Sequence, residues 1–166
     1  DDPAAARGHE LFREFDNVAV LHTFSKAYGL AGLRLGYAIV HDDVAEGLRK
    51  VAMPFAVTDI AQAAGVASLN AEAELQARVD TLIAERARVT AVLTAAGWPV
   101  TPSQANFIWL DLGEETDKIQ AKLARGGIIA RPFSRDGIRI SIGDPAANDA
   151  MLAAIGQLSD HVKSCS

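Results

Sequence analysis

Cysteine is all but absent: the only one in the chain is Cys165, one residue from the C-terminus. No internal disulfide can form, and nothing resembles a cysteine-based metal site. Positive charge is in deficit, with 16 Lys plus Arg against 21 Asp plus Glu and a formal net charge of −5. That balance argues against a nucleic-acid partner, which needs an excess of cations on one face. Long apolar runs are missing too. The uncharged stretch from Val89 to Leu110 is broken by Pro99, Pro102, Ser103, Gln104 and Asn106. It therefore reads as a helix end, a loop and a strand, not a membrane span. Asp1-Asp2-Pro3 is the opposite of a basic, apolar leader. Internal repeats and low-complexity tracts are absent. The expectation left by these absences is a soluble protein of the cytoplasm.

What is there is an ordinary globular balance, 49% hydrophobic and 22% charged over 166 residues. A chain of this size buries roughly 70% of its unfolded surface, enough for one medium domain or two small ones. The first half predicts a short helix over His9–Phe15 and an apolar strand, Val18–Leu21, suited to cover on both faces. A second apolar run follows at Gly36–Val40. A helix opens near Asp43, where Asp43 and Glu46 have capping-box spacing, and Met53-Pro54 stops it. The Ala-rich segment Asp59–Leu69 predicts a buried helix. Glu72–Ala96 predicts one long helix with Leu75, Val79, Leu82, Ile83, Val89, Leu93 and Ala96 on a single stripe and Gly97 as its cap.

Beyond Gly97 the pattern changes to strands and short helices. Asn106–Leu112 predicts a strand, Asp117–Arg125 a helix closed by Gly126-Gly127, and Ile128–Arg131 another strand. Asp136-Gly137 predicts a turn and Ile138–Ile142 an alternating strand. Asp144-Pro145 opens a last helix whose stripe is Met151, Ile155, Leu158 and Val162. The second half is thus a βαββα unit, and the expected boundary lies in the long helix, giving domains 1–80 and 81–166.

The segment Thr23–Tyr37, TFSKAYGLAGLRLGY, has only two charged side chains, Lys26 and Arg34, among small and apolar residues. Either both are solvated, with Arg34 capping a helix, or an anion sits between them, since an unpaired buried cation is costly. Hydroxyls at Thr23 and Ser25, the Arg34 guanidinium and glycine backbone would suit a phosphate dianion. Desolvation and neighbouring cations push an amine toward its reactive free base, the form that attacks an aldehyde. Downstream, Arg139 and Ser141 alternate with Ile138, Ile140 and Ile142, so the guanidinium projects away from the apolar side. It could bind a carboxylate with its planar fork, or be a surface Arg on an edge strand.

Ser25-Lys26 with Gly29, Gly32, Arg34, Gly36 and Tyr37 closely resembles the pyridoxal-phosphate lysine motif of class I/II aminotransferases. Ala105-Asn106-Phe107, Ile128–Phe133 and Gly137–Gly143 follow in the order that family has them. The likeness is to the histidinol-phosphate aminotransferase branch and its aromatic (phenylalanine) relatives, and it covers most of the chain. It implies an α/β protein of the type I pyridoxal-phosphate transferase fold: the C-terminal part of the large α/β domain, then the small α+β (βαββα) domain.

The resemblance further implies that Lys26 is the catalytic residue, joined to pyridoxal 5′-phosphate as a Schiff base. Thr23, Ser25 and Arg34 would hold the cofactor phosphate, and Arg139 the α-carboxylate of the amino-acid donor. Arg131 would assist a substrate phosphate or form a structural salt bridge. Asn106 would lie near the site or bond local backbone. The implied reaction passes an amino group from an aromatic amino acid or histidinol phosphate to a 2-oxo acid, 2-oxoglutarate, in a homodimer, with no metal. Members of the family run to about twice this length, a two-domain size. The half that supplies the ring-stacking aromatic and the pyridine-nitrogen Asp is expected to be missing, leaving this chain alone inactive. A lyase or decarboxylase of the same fold, or an inactive or regulatory cofactor-binding domain, are the rival readings.

Overall fold

A computed structural model describes residues 6–158. The chain divides between Arg78 and Val79 into two compact units.

The first unit opens with α1 (Gly8–Glu14) and β1 (Val20–Thr23), followed by a 3₁₀ turn at Ala31–Leu33 and β2 (Gly36–Ile39). The two strands pair antiparallel, with Val20 opposite Ile39 and Thr23 opposite Gly36. α2 (Asp42–Val51), α3 (Asp59–Asn70) and the start of α4 (Glu72–Ala95) follow. Three expectations change here. The apolar run does not form a strand covered on both faces: β1 starts at Val20, and Leu21 is 78% exposed. The outer side of Leu21 is left uncovered by the elements of this unit. α2 starts at Asp42, beside the expected position, but no side chain caps it, so the capping box does not form. α3 is not a buried helix: Ala61 and Gly65 are buried, whereas Ile60, Val66 and Leu69 are exposed. Its start is capped, because Thr58 Oγ1 accepts from the Ala61 amide at 3.2 Å.

The second unit holds the larger core. Its strands are β3 (Val100–Thr101), β4 (Phe107–Asp111), β5 (Arg131–Phe133) and β6 (Gly137–Ser141), in the spatial order β3-β4-β6-β5, all antiparallel. α5 (Thr116–Arg125) and α6 (Pro145–Gly156) complete the βαββα order read from the sequence. Ile108 and Leu110 of β4, Ile138 and Ile140 of β6, and Ile119 and Leu123 of α5 are buried together with Val89 and Leu93 of α4 and Met151 and Ile155 of α6. At roughly 1.5–3 kcal/mol for each fully buried aliphatic side chain, this cluster dominates the unit's stability.

Both helices with a predicted glycine stop end in the same way. At α4 the Gly97 amide donates to Thr94 and the Trp98 amide to Leu93; at α5 the Gly127 amide donates to Ala124 and the Ile128 amide to Leu123. Each glycine has positive φ, +85° at Gly97 and +79° at Gly127, a conformation that a Cβ disfavours. The Ile128 amide is thereby spent on closing α5, and the strand expected at Ile128 instead starts at Arg131. β3 was not anticipated. The hairpin loop is Ser134-Arg135-Asp136, with Arg135 at φ 63°, and Gly137 belongs to the strand. Val162 of the expected last stripe lies outside the described residues.

α6 is tied to α4 and to the segment after β6 by Asn148, which is 2% exposed. Its Oδ1 accepts from the Gly143 amide at 2.9 Å, and its Nδ2 donates to Gly143 O at 3.0 Å and to Glu85 Oε2 at 2.8 Å. Arg88 donates to the same carboxylate and also pairs with Asp149 at 2.9 Å. Hydrogen bonds from Arg88 and then Asn148 hold the Glu85 carboxyl well below its usual value of 4.5, at about 2. An acid depressed in this way stabilises the fold above its unfolded value, and the contribution is lost as pH falls through the folded one. Glu85→Gln should therefore lower the unfolding temperature at neutral pH. The gap between variant and wild type should close as pH is taken from about 4.5 toward about 2, which thermal melts across that range would measure.

Candidate active site

The lysine loop of the first unit is built around one buried ring. Phe24 is 4% exposed and packs against Tyr28 (centroids 4.7 Å) and Tyr37 (6.1 Å). Its backbone ties the loop at both ends: the Phe24 amide donates to Leu35 O, and Phe24 O accepts from the Leu30 amide at 2.9 Å. Gly65 of α3 lies against both Leu35 and this ring: an added Cβ would meet Leu35 Cδ2 at 2.5 Å and Phe24 Cε1 at 3.8 Å. Thr23 and Ser25 flank this anchor. Thr23 Oγ1 accepts from the Ser25 amide at 3.0 Å, which leaves the hydroxyl proton free to donate.

Lys26 follows, exposed, with no hydrogen bond or ion pair from its amine among the described residues. The Gly29 amide closes a turn onto Lys26 O at 2.9 Å. Arg34 is exposed and sits in the left-handed region at φ 53°, ψ 41°. A side chain there costs about 1–2 kcal/mol and persists only where surrounding bonds hold it. One of its five donors, Nη1, bonds Ala31 O at 2.7 Å. No carboxylate occurs anywhere between Asn17 and His41. Two hydroxyls, an amine and a guanidinium with no internal anion form a donor set suited to an external one.

The other sequence-predicted residues belong to the second unit. β6 lies between β4 and β5, so Arg139 is not on an edge strand. It stands opposite Trp109 on one side and Arg131 on the other. The face it shares with Ser141 is the less buried one, as the alternation predicts. The Arg139 guanidinium lies 5.3 Å from the Phe107 ring and that of Arg131 lies 5.4 Å from Phe133. Neither has a carboxylate partner among the described residues, so the salt bridge considered for Arg131 does not form there. Both line a cavity of about 390 Å³ whose other walls include Ile140, Ser141, Asn148 and Met151. Asn106 precedes β4; its carbonyl accepts from the Ile142 amide at 3.0 Å. Thr23 thus ends β1 and Ser25, Lys26 and Arg34 follow it before β2, whereas Arg131 and Arg139 share one sheet that Asn106 adjoins.

Sequence reasoning missed two residues. One is Phe24, a lone aromatic among hydroxyls, which is itself a sign of an anchor. The other is Arg86 of α4. It is buried, and its position four after Leu82 and three before Val89 put it on the apolar stripe.

The family model for aminotransferase class I and II matches residues 2–155. The aromatic amino acid aminotransferase of Mycobacterium avium (strain 104) is 55% identical over 86% of this chain and 40% of its own length. That of Streptomyces coelicolor is 53% identical over 91% of this chain and 42% of its own length. Among solved structures, histidinol-phosphate aminotransferase from Sinorhizobium meliloti, in complex with pyridoxal-5′-phosphate, superposes with a TM-score of 0.76. It is 29% identical and covers 89% of this chain and 42% of that one. The mixed α/β arrangement is therefore part of the type I fold of pyridoxal-phosphate-dependent transferases. The chain spans about two-fifths of the length of the curated relatives it matches.

Because Phe24 supports the whole lysine loop, Phe24→Ala should cost about 3–5 kcal/mol of stability, read from denaturant unfolding.

Proposed function

The chain belongs to the class I and II aminotransferases, and on that premise we propose that it is the C-terminal portion of an enzyme transferring amino groups from an aromatic amino acid to a 2-oxo acid, 2-oxoglutarate. The lysine loop carries this reading: an amine without an internal partner, two hydroxyls and a strained arginine, in a stretch free of carboxylates. That donor set fits a phosphorylated aldehyde. Thr23, Ser25 and Arg34 would hold the phosphate of pyridoxal phosphate, and Lys26 Nζ its aldehyde carbon. When bound, the cofactor supplies an electron sink for the carbanion left by the donor.

The protein's own groups do the rest. Lys26 Nζ would carry the proton removed from the donor α-carbon. Arg139 grips the α-carboxylate through two parallel N–H bonds and so fixes which bond at that carbon is broken. Arg131 and Asn106 border the same substrate. The aromatic donor is favoured over histidinol phosphate because curated relatives more than 50% identical carry that name. The active protein is a homodimer of the cytoplasm, and this chain alone turns over little or nothing. No helix among the described residues is long and apolar enough to cross a membrane.

Borohydride reduction of the full-length protein with pyridoxal phosphate, followed by peptide mapping, should place the label on Lys26; a label elsewhere overturns the mechanism. Arg34→Gly relieves a left-handed backbone position. It should leave the apo protein's stability within about 1 kcal/mol of wild type while weakening cofactor affinity tenfold or more. Equilibrium titration with pyridoxal phosphate, alongside thermal melts without it, separates the two effects.

A further inference from the structure

Arg86 is only 8% exposed, in a row of α4 whose neighbours Leu82, Val89 and Leu93 belong to the core or pack on it. Its Nη1 donates to Ala105 O at 2.9 Å and its Nη2 to Gln104 Oε1 at 3.2 Å. Both acceptors are neutral, and no carboxylate pairs with it among the described residues. For stability alone this is a poor use of the position. A buried guanidinium without an anion carries a desolvation cost that two neutral hydrogen bonds offset only in part, whereas an aliphatic residue would extend the core.

What Arg86 does hold is a loop. Ser103 Oγ accepts from the Ala105 amide at 3.1 Å and donates to Phe107 O at 2.9 Å. The carbonyl between those of Ala105 and Phe107, Asn106 O, accepts from the Ile142 amide. The loop is thus tied from α4, from within itself and from the end of β6, immediately before Phe107. The Phe107 ring lies 5.3 Å from the Arg139 guanidinium. A ring that attracts a cation through its π-face supports the guanidinium without consuming its N–H donors.

We propose that Arg86 is a positioning residue for substrate-carboxylate binding: it sets the 103–106 loop, which seats Phe107 against Arg139. This rests on the role of Arg139 proposed above.

The test is steady-state kinetics and cofactor titration on the full-length enzyme carrying Arg86→Met, Arg86→Lys, Phe107→Leu, Arg86→Met with Phe107→Leu, or Arg139→Lys. Arg86→Met and Phe107→Leu should each raise the donor KM about tenfold, with kcat within about twofold and cofactor affinity unchanged. The double variant should be no worse than the more impaired single one, because both act through one ring. Arg86→Lys, which keeps a donor for the loop, should fall between wild type and Arg86→Met. A merely structural role would lower the melting temperature and the active fraction and leave KM alone, which overturns the inference. If Arg86→Met does not fold, Phe107→Leu and Arg86→Lys decide by the same readout. Should Arg139→Lys leave the donor KM untouched, the carboxylate reading itself falls. Should it raise KM while the Arg86 and Phe107 variants do not, only the positioning role falls.

Discussion

A strand turns successive side chains to opposite sides, and the second unit depends on that two-residue period. Ile108 and Leu110 face Ile138 and Ile140 in the core, while Phe107, Trp109, Arg139 and Ser141 lie between them on the other face. A slip of one residue would turn the isoleucines out and drive Arg139 into the core. The pairing that buries the core is therefore the same pairing that presents the arginine. The Ser134–Asp136 hairpin loop extends the constraint to β5, because the register it fixes sets Arg131 opposite Arg139.

The first unit works differently. Its lysine loop is shaped by bonds of short sequence range, from Thr23 to Ser25, Lys26 to Gly29 and Ala31 to Arg34, with Phe24 as the buried support. Around it, Leu21, Val51, Met53, Phe55 and Ile60 are exposed. A loop held locally keeps its shape with little core behind it. The cost is concentrated at Arg34, whose left-handed backbone is tolerated because the adjoining turn and strand specify it.

The second unit was the more legible in the sequence. Its strand alternation at Ile138–Ile142, the Asp144-Pro145 helix start and the glycine stops after α4 and α5 are short-range signals, and each appears in the structure. Where the reading slipped, a competing bond explains it. The β5 boundary moved because the Ile128 amide closes α5, and the hairpin took three residues because Arg135 adopts the left-handed conformation usually left to glycine or asparagine. Burial in the first unit was misjudged because an apolar run reports what a segment can bury, not what is present to cover it. The residue types of the lysine loop were visible as a pattern; the ring beneath them and the guanidinium inside α4 were not, since the burial of each depends on the loop or helical geometry that isolates it.

Arg131 and Arg139 face one another across the sheet with no acid between them. Like charges so placed weaken strand pairing. An internal aspartate or glutamate would quiet the repulsion, but it would also satisfy both forks from within and leave an arriving anion nothing to bind. Durability and receptiveness are opposed at this pair, so a stabilising search that rewards the folded state alone would tend to seal the pocket shut.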